Sequence, residues 1–139
     1  QDVAQKYRLP AEDRGVSLRA DLETDLAWIS ADVGLIERAL ENVLDNALRY
    51  TPKGGRIDIV LRPHYDRLRI EVEDTGPGIP EEELEHVFER HYRGQNISGK
   101  GAGLGLAIVK RLCELYGWSV HFRNRESGGL RAELRFFGG

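Results

Sequence analysis

Strand-forming stretches in this chain come as neighbouring pairs, and helical stretches separate the pairs. Residues 56–62 place Ile57, Ile59 and Leu61 on one side and mostly polar side chains on the other. Residues 67–73 repeat the pattern with Leu68, Ile70 and Val72. Pro63-His64-Tyr65-Asp66 between them carries turn chemistry, so the two runs predict a hairpin. Residues 120–123 and 130–136 predict another, closing around Ser127-Gly128-Gly129. Nearer the start, residues 16–22 alternate with period two and residues 26–29 form a further short strand candidate. Helices alternating with hairpin-joined strands do not suit an all-parallel sheet with helical crossovers. They predict an α+β two-layer sandwich, with helices on one face of a mixed, mostly antiparallel sheet.

The helical stretches have legible edges. Residues 1–15 show Val3, Ala4, Tyr7 and Ala11 at helical spacing, with Pro10 predicted to kink or end the helix and Gly15 to stop it. A long helix follows Ser30 or Asp32, either of which can cap it, and ends near Tyr50 at Thr51-Pro52-Lys53-Gly54-Gly55. Glu81, Glu82 and Glu83 open a short helix, where acidic residues suit the positive end of the dipole. Residues 91–103, polar and glycine-containing, predict a mobile loop. Residues 104–116 return to helix, with Leu104, Ile108, Cys113 or Leu112, and Leu115 expected inward, and Gly117 ends it.

Composition narrows the function classes. With 139 residues and 40% hydrophobic content the chain suits one domain with a real core. Charged residues make up 31%, mixed along the sequence to a net charge of −3, which excludes a disordered tail and gives no general case for nucleic-acid binding. The single cysteine, Cys113, lies in an apolar helical run and reads as a small core residue in a reducing compartment. No apolar run reaches membrane-spanning length, and no signal peptide is visible. The absence of methionine predicts that residues 1–139 are a single domain excised from a longer protein.

Four stretches carry chemistry. In Glu41-Asn42-Val43-Leu44-Asp45-Asn46-Ala47-Leu48-Arg49-Tyr50, Asn42 and Asn46 are four apart and share a helix face, opposite an apolar stripe of Val33, Ile36, Leu40, Val43, Leu44 and Ala47. Amide oxygens can hold a hard cation, an arginine a phosphate, and a phenol ring can pack on a base or sugar. A solvated helix face bearing two asparagines is the plainer alternative. Asp74-Thr75-Gly76-Pro77-Gly78 follows a strand, where a carboxylate can accept a hydrogen bond from an exocyclic amine such as that of adenine; ordinary turn chemistry is its alternative. Phe88-Glu89-Arg90-His91-Tyr92-Arg93 offers Phe88 and Tyr92 for packing and two arginines within reach of a phosphate, or simply exposed at a helix end. Gly99-Lys100-Gly101-Ala102-Gly103-Leu104-Gly105 runs into a helix, where bare amides and Lys100 make an anion site or a flexible glycine cap. It is neither a Walker loop nor a Rossmann turn, because no Lys-Ser or Lys-Thr follows the last glycine and no strand precedes it.

In this order the four stretches resemble the catalytic ATP-binding domain of bacterial sensor histidine kinases, part of the wider GHKL group shared with DNA gyrase and the MutL mismatch-repair protein. The likeness runs from about residue 12 to 137, and Gly105-Leu106-Ala107-Ile108-Val109-Lys110 continues the family pattern. The resemblance implies catalytic roles for Asn42, Asn46 and Arg93, with Asn46 the principal Mg²⁺ ligand and Asn42 its helper. It implies ATP contacts from Arg49, Tyr50, Asp74, Gly76, Gly78, Ile79, Lys100, Gly101, Gly103, Leu104, Gly105 and Leu106. Asp74 would read adenine, Arg93 would meet the γ-phosphate, and residues 94–103 would form the ATP lid. The partners implied are an upstream dimerisation domain carrying the phospho-acceptor histidine, and a response regulator. The domain itself is expected to be monomeric and cytoplasmic, without contact to membrane or nucleic acid, whether or not the full protein is anchored in the inner membrane.

The departures from the family pattern are informative. Ala102 replaces a common Thr or Ser, and Leu130-Arg131 follows Gly129 where a threonine pair is frequent, removing hydroxyl contacts. Gyrase-like hydrolases place a glutamate general base four residues before the metal asparagine; here that position is Asn42, and an amide cannot take a proton from water. Transfer of the γ-phosphate is therefore expected over rapid hydrolysis. His64, His86, His91 and His121 lack the setting of an acceptor helix and read as surface or turn residues. The alternatives are a GHKL ATP hydrolase with nucleotide-gated dimerisation, a non-catalytic nucleotide-binding interaction module, and an anti-sigma-factor serine kinase.

Overall fold

The structure of the protein, a computed structural model, describes residues 2–21, 33–64, 67–88 and 105–137. Its elements are α1 (Asp2–Asp13), β1 (Ser17–Asp21), α2 (Val33–Tyr50), β2 (Arg56–His64), β3 (Arg67–Asp74), a 3₁₀ turn (Glu81–His86), α3 (Gly105–Tyr116), β4 (Ser119–Asn124) and β5 (Leu130–Phe137). The strands form one sheet in the order β1-β2-β3-β5-β4. β1 runs parallel to β2, and the other neighbours pair antiparallel. α2 lies between β1 and β2 in sequence and so supplies the crossover that a parallel pair needs. This is the α+β architecture that the pairing of strands predicted.

Period-two alternation sends Ile57, Ile59, Leu61, Leu68, Ile70, Val72, Ala132, Leu134 and Phe136 to one face of the sheet, where all are buried. Ile36, Leu40, Val43, Leu44 and Ala47 of α2 and Leu106, Val109 and Cys113 of α3 complete that core. Burying each large apolar side chain contributes roughly 1.5–3 kcal/mol. α2 stops cleanly because the Thr51 hydroxyl donates to Ala47 O at 2.7 Å and Pro52 has no N–H to extend the ladder.

One alternative falls and one expectation needs correction. Of the two outcomes expected at Pro10, a kink or an end, the end does not occur: α1 continues to Asp13. Tyr7 and Ala11 flank the proline at i and i+4 and are both buried, so packing holds the helix on either side of the missing donor. Leu115 is not inward; it is 58% exposed, because the buried stripe of α3 runs through Leu106, Val109 and Cys113. The strand expected at residues 26–29, the caps Ser30 and Asp32, the hairpin tip at residues 65–66, Leu104 and the loop at residues 91–103 lie outside the described residues. Among the described residues no helix is long and apolar enough to cross a membrane.

Candidate functional site

The last residue of β3 anchors the site. Asp74 is 4% exposed, so its carboxylate needs partners. Oδ1 accepts hydrogen bonds from the Gly76 amide at 2.9 Å and the Leu130 amide at 3.2 Å. Both bonds fall on the same oxygen, and Oδ2 takes none from the described residues. Burial raises the Asp74 pKa above its ordinary value, against the lowering pull of the Gly76 and Leu130 amides and the Arg125 charge. The result is a buried acceptor, fixed in orientation, with one oxygen left for a ligand.

The β4–β5 turn holds that carboxylate in place. Arg125 donates from Nη1 to Asp74 O at 2.9 Å. Gly129 has φ +97, and a Cβ there would lie 1.8 Å from Asp74 O, so only glycine lets the turn approach this closely. Asn124 clamps the other side of the glycine run. Its Oδ1 accepts from Ile79 N at 2.9 Å while its Nδ2 donates to Ile79 O at 2.7 Å, as a neighbouring strand would. Gly76 abuts the end of α2, where a Cβ would come within 3.0 Å of Tyr50 O. Asp74, Gly76, Gly78 and Ile79 thus form one braced loop, with the Ile79 side chain itself buried in the core.

α2 supplies the second wall. Arg49 and Tyr50 are half-buried and line a cleft of about 450 Å³ with Pro52 and Pro77. Burial raises the Tyr50 pKa; Arg49 lowers it and Glu83 raises it further, so the phenol stays neutral and able to donate. Asn46 is 8% exposed, and its amide makes no hydrogen bond with the described residues. Asn42 donates from Nδ2 to Arg38 O at 3.1 Å, which turns Oδ1 away from its own helix. That oxygen would be 3.3 Å from a Cβ on Gly105, the first residue of α3. The asparagine face of α2 and the amino end of α3 are therefore in contact. Leu106, the next residue, is buried, so only its backbone is open to a ligand.

The neighbouring carboxylate is directed elsewhere. Glu41 Oε2 is 3.3 Å from Lys6 Nζ, and Glu41 O accepts from the Tyr7 hydroxyl. Asp45 Oδ1 accepts from the same hydroxyl at 2.8 Å. Both acids on this stretch are thus engaged with α1. Amide oxygens are hard donors of the kind a Mg²⁺ ion requires, and Asn42 Oδ1 lies beside the amino end of α3. Among the described residues no cluster of His, Cys, Asp and Glu could hold a metal instead.

Phe88 packs against Phe122 with ring centroids 5.4 Å apart, beneath Lys110, as a packing residue should. Cys113 is buried, and burial pushes its thiol up to about 11, in keeping with an inert core residue. His86 and His121 are exposed. Arg93, Lys100, Gly101, Gly103 and Leu104, with residues 94–103 of the expected lid, lie outside the described residues. Asn124 and Arg125 were missed by sequence reasoning. An Asn-Arg pair ahead of a glycine turn carries no signal of its own, because its partners Ile79 and Asp74 are 45 and 51 residues away.

Known proteins share this fold. Residues 31–137 match the family described as "Histidine kinase-, DNA gyrase B-, and HSP90-like ATPase". The adaptive-response sensory kinase SasA of Rippkaea orientalis is 37% identical over 114 residues, covering 81% of this chain and 29% of that relative. The chain thus spans less than a third of that protein's length. Among solved structures, the mycobacterial sensor histidine kinase MprB superposes with a TM-score of 0.78 at 28% identity, covering 99% of this chain and 91% of that one. Full-length ShkA in complex with AMPPNP gives 0.82 at 29% identity, covering 99% of this chain and 29% of that one.

Proposed function

Because the chain belongs to the histidine kinase-, DNA gyrase B- and HSP90-like ATPase family, we propose that it binds ATP with Mg²⁺ and presents the γ-phosphate to a histidine. That histidine is carried on a separate dimerisation domain of the same sensor kinase, and a response regulator receives the phosphoryl group next. The observation that carries the reading is Asp74: a buried carboxylate whose Oδ1 is fixed by Gly76 and Leu130. Its remaining oxygen suits the exocyclic amine of adenine. The AMPPNP complex of ShkA supports a nucleotide on this fold.

The chain's own residues then divide the work. Asp74 selects the base, and the Gly76–Ile79 loop gives a flat surface for it. Tyr50 and Arg49 flank the ribose and phosphates along their cleft. Asn42 and Asn46 would hold Mg²⁺ through their amide oxygens; the ion, when bound, would neutralise phosphate charge. The amino end of α3 offers bare N–H groups to phosphate oxygens. We assign to Arg93 the steadying of charge on the transferred group, and contacts with the phosphates to Lys100, Gly101, Gly103, Leu104, Gly105 and the backbone of Leu106. Catalysis of this kind is positioning and charge stabilisation, with no covalent step for the protein.

Transfer is favoured over hydrolysis by the bonding of α2. The position suited to a general base holds Asn42, and the adjacent Glu41 faces Lys6. Neither side chain is placed to take a proton from water at the phosphates. We place the domain in the cytoplasm, where ATP is available. The test supplies a histidine acceptor domain in trans with γ-labelled ATP. Acid-labile phosphohistidine is expected, with slow phosphate release when the acceptor is omitted. ATP binding without phosphohistidine would leave only a nucleotide-binding module, and fast acceptor-independent release would make the chain a hydrolase.

A further inference from the structure

The charged face of the sheet holds an arrangement that the nucleotide reading does not use. In the register of β2, β3 and β5, Arg62 lies directly opposite Arg69, and Arg69 directly opposite Arg135. Like charges opposite one another are unfavourable in a sheet, and three in a row compound the cost. The next row inward places Glu71 opposite Glu133. Glu71 serves both Arg62 and Arg69, at 3.3 and 3.1 Å, and Glu133 serves Arg135. Burial tends to raise the Glu133 pKa, yet Arg135, Arg69 and Arg123 outweigh it and hold the carboxyl below its ordinary value, so Glu133 is charged and already committed.

Arg67 adds a fourth cation, stacked 5.3 Å from the centroid of the Phe137 ring, which is 39% exposed. Four arginines therefore share two glutamates among the described residues, a surplus of two positive charges. Arg69 Nε is sealed from solvent and makes no aligned hydrogen bond, although Glu71 Oε2 is near. The four arginines line a cavity of about 380 Å³, and the exposed ring of Phe137 is its apolar side chain.

We infer that this end of the sheet is a docking site for an acidic protein segment carrying an apolar side chain. Two features select that occupant. The arginine row spans two inter-strand spacings, roughly 10 Å, which is too wide for one small anion and suits several carboxylates in bidentate pairs. The exposed Phe137 ring gives an apolar residue a place that an inorganic ion does not need. A long polyanion is disfavoured because the chain as a whole carries −3, so attraction is confined to the patch. Arg67 begins β3 and Asp74 ends it, putting the two sites roughly 23 Å apart. Docking and nucleotide binding can therefore occur together, and the inference stands apart from the nucleotide reading.

The test uses the 139-residue chain and a short fluorescein-labelled peptide rich in glutamate with one phenylalanine, followed by anisotropy. Saturable binding is expected at low ionic strength, weakening as salt is added. Arg62→Gln with Arg135→Gln should lower affinity about tenfold, while Arg19→Gln, also on a strand but outside this cavity, leaves it unchanged. Thermal melting checks the fold of the double variant; if it is unfolded, Arg62→Gln alone carries the test, since that side chain is 53% exposed. Equal binding by wild type and the arginine variants overturns the inference. So does displacement of the peptide by inorganic phosphate at comparable concentration, or tighter binding of a single-stranded oligonucleotide or of phosphatidylglycerol vesicles.

Discussion

The two halves of the candidate site are held in opposite ways. Around Asp74 the protein supplies the partners: two amides on Oδ1, Arg125 on the carbonyl, and Asn124 bridging both ends of the Ile79 peptide unit. On α2 the amide of Asn46 is buried with no such partner among the described residues, and Asn42 spends only its donor. The difference teaches that the Asp74 half is organised before ligand arrives. The amide half is left with acceptors that no described residue engages. Preorganisation at one end lowers the ordering cost of binding, and unmet acceptors at the other make affinity depend on what completes them.

The largest effect should come from disturbing the braced half. Gly129→Ala would force a side chain into a positive-φ position and against Asp74 O. Relief requires the β4–β5 turn to withdraw, which breaks the Leu130 and Arg125 bonds with it. We expect a loss of about 3–4 kcal/mol in unfolding free energy, read by urea denaturation. A loss below about 1 kcal/mol would show that the turn is not tightly held and would erase the contrast between the halves.

Asp74→Asn tests the same half with the fold preserved. Gly76 and Leu130 both present N–H groups to Oδ1, so the variant amide must turn its oxygen toward them and its NH₂ toward the ligand. A donor then faces the donor of adenine. ATP affinity should fall roughly 100-fold, because a site built for one hydrogen-bonding pattern rejects the inverse strongly. A 6-oxopurine nucleotide, which offers an acceptor there, should gain relative to ATP. Calorimetry that finds ATP bound as tightly as by wild type would place the base elsewhere.

Asn46→Ala probes the open half, and its signature should be inverse. Affinity for ATP should fall about tenfold when Mg²⁺ is present and change little when it is chelated. Stability should hold within about 0.5 kcal/mol, because no protein hydrogen bond is lost. A variant that unfolds readily, or that keeps its Mg²⁺ dependence, would remove Asn46 from the metal site.

How much of this was legible beforehand follows the range of the interactions. The core stripe of α2 and the strand faces of β2, β3 and β5 repeat over a few residues, so periodicity reports them. The positions of Asn42 on α2 and of Asp74, Gly76 and Gly78 at the end of β3 were legible because each sits in a compact motif. Asn124 and Arg125 were not, since their roles depend on β4 and β5 returning beside β3, a pairing that no local pattern encodes. Leu115 misled because a helical run admits more than one inward stripe; the contact of α3 with α2 and β4 selects the one through Val109. The arginine row escaped for the same reason as Asn124: Arg62, Arg69 and Arg135 become neighbours only through sheet register.

The smallest expected effect separates the halves by proton linkage. Burial raises the Asp74 pKa above its ordinary 3.8, and the amide bonds and Arg125 offset this only in part. With the folded-state value above the unfolded one, this residue's contribution to stability is fully present below about 3.8 and is lost as pH rises through the folded-state value. Adenine recognition runs the other way, since the ionised carboxylate is the stronger acceptor. Between the ordinary carboxylate value and neutrality, wild type should therefore lose stability relative to Asp74→Asn while gaining ATP affinity relative to it. Taking the ratio of the two proteins removes the nucleotide's own titration. Asn46 has no proton to exchange, so Asn46→Ala should lower affinity by a constant factor across the same range. Parallel pH profiles for wild type and Asp74→Asn, in both melting and calorimetry, would mean that Asp74 is not the buried titrating acceptor on which the braced half depends.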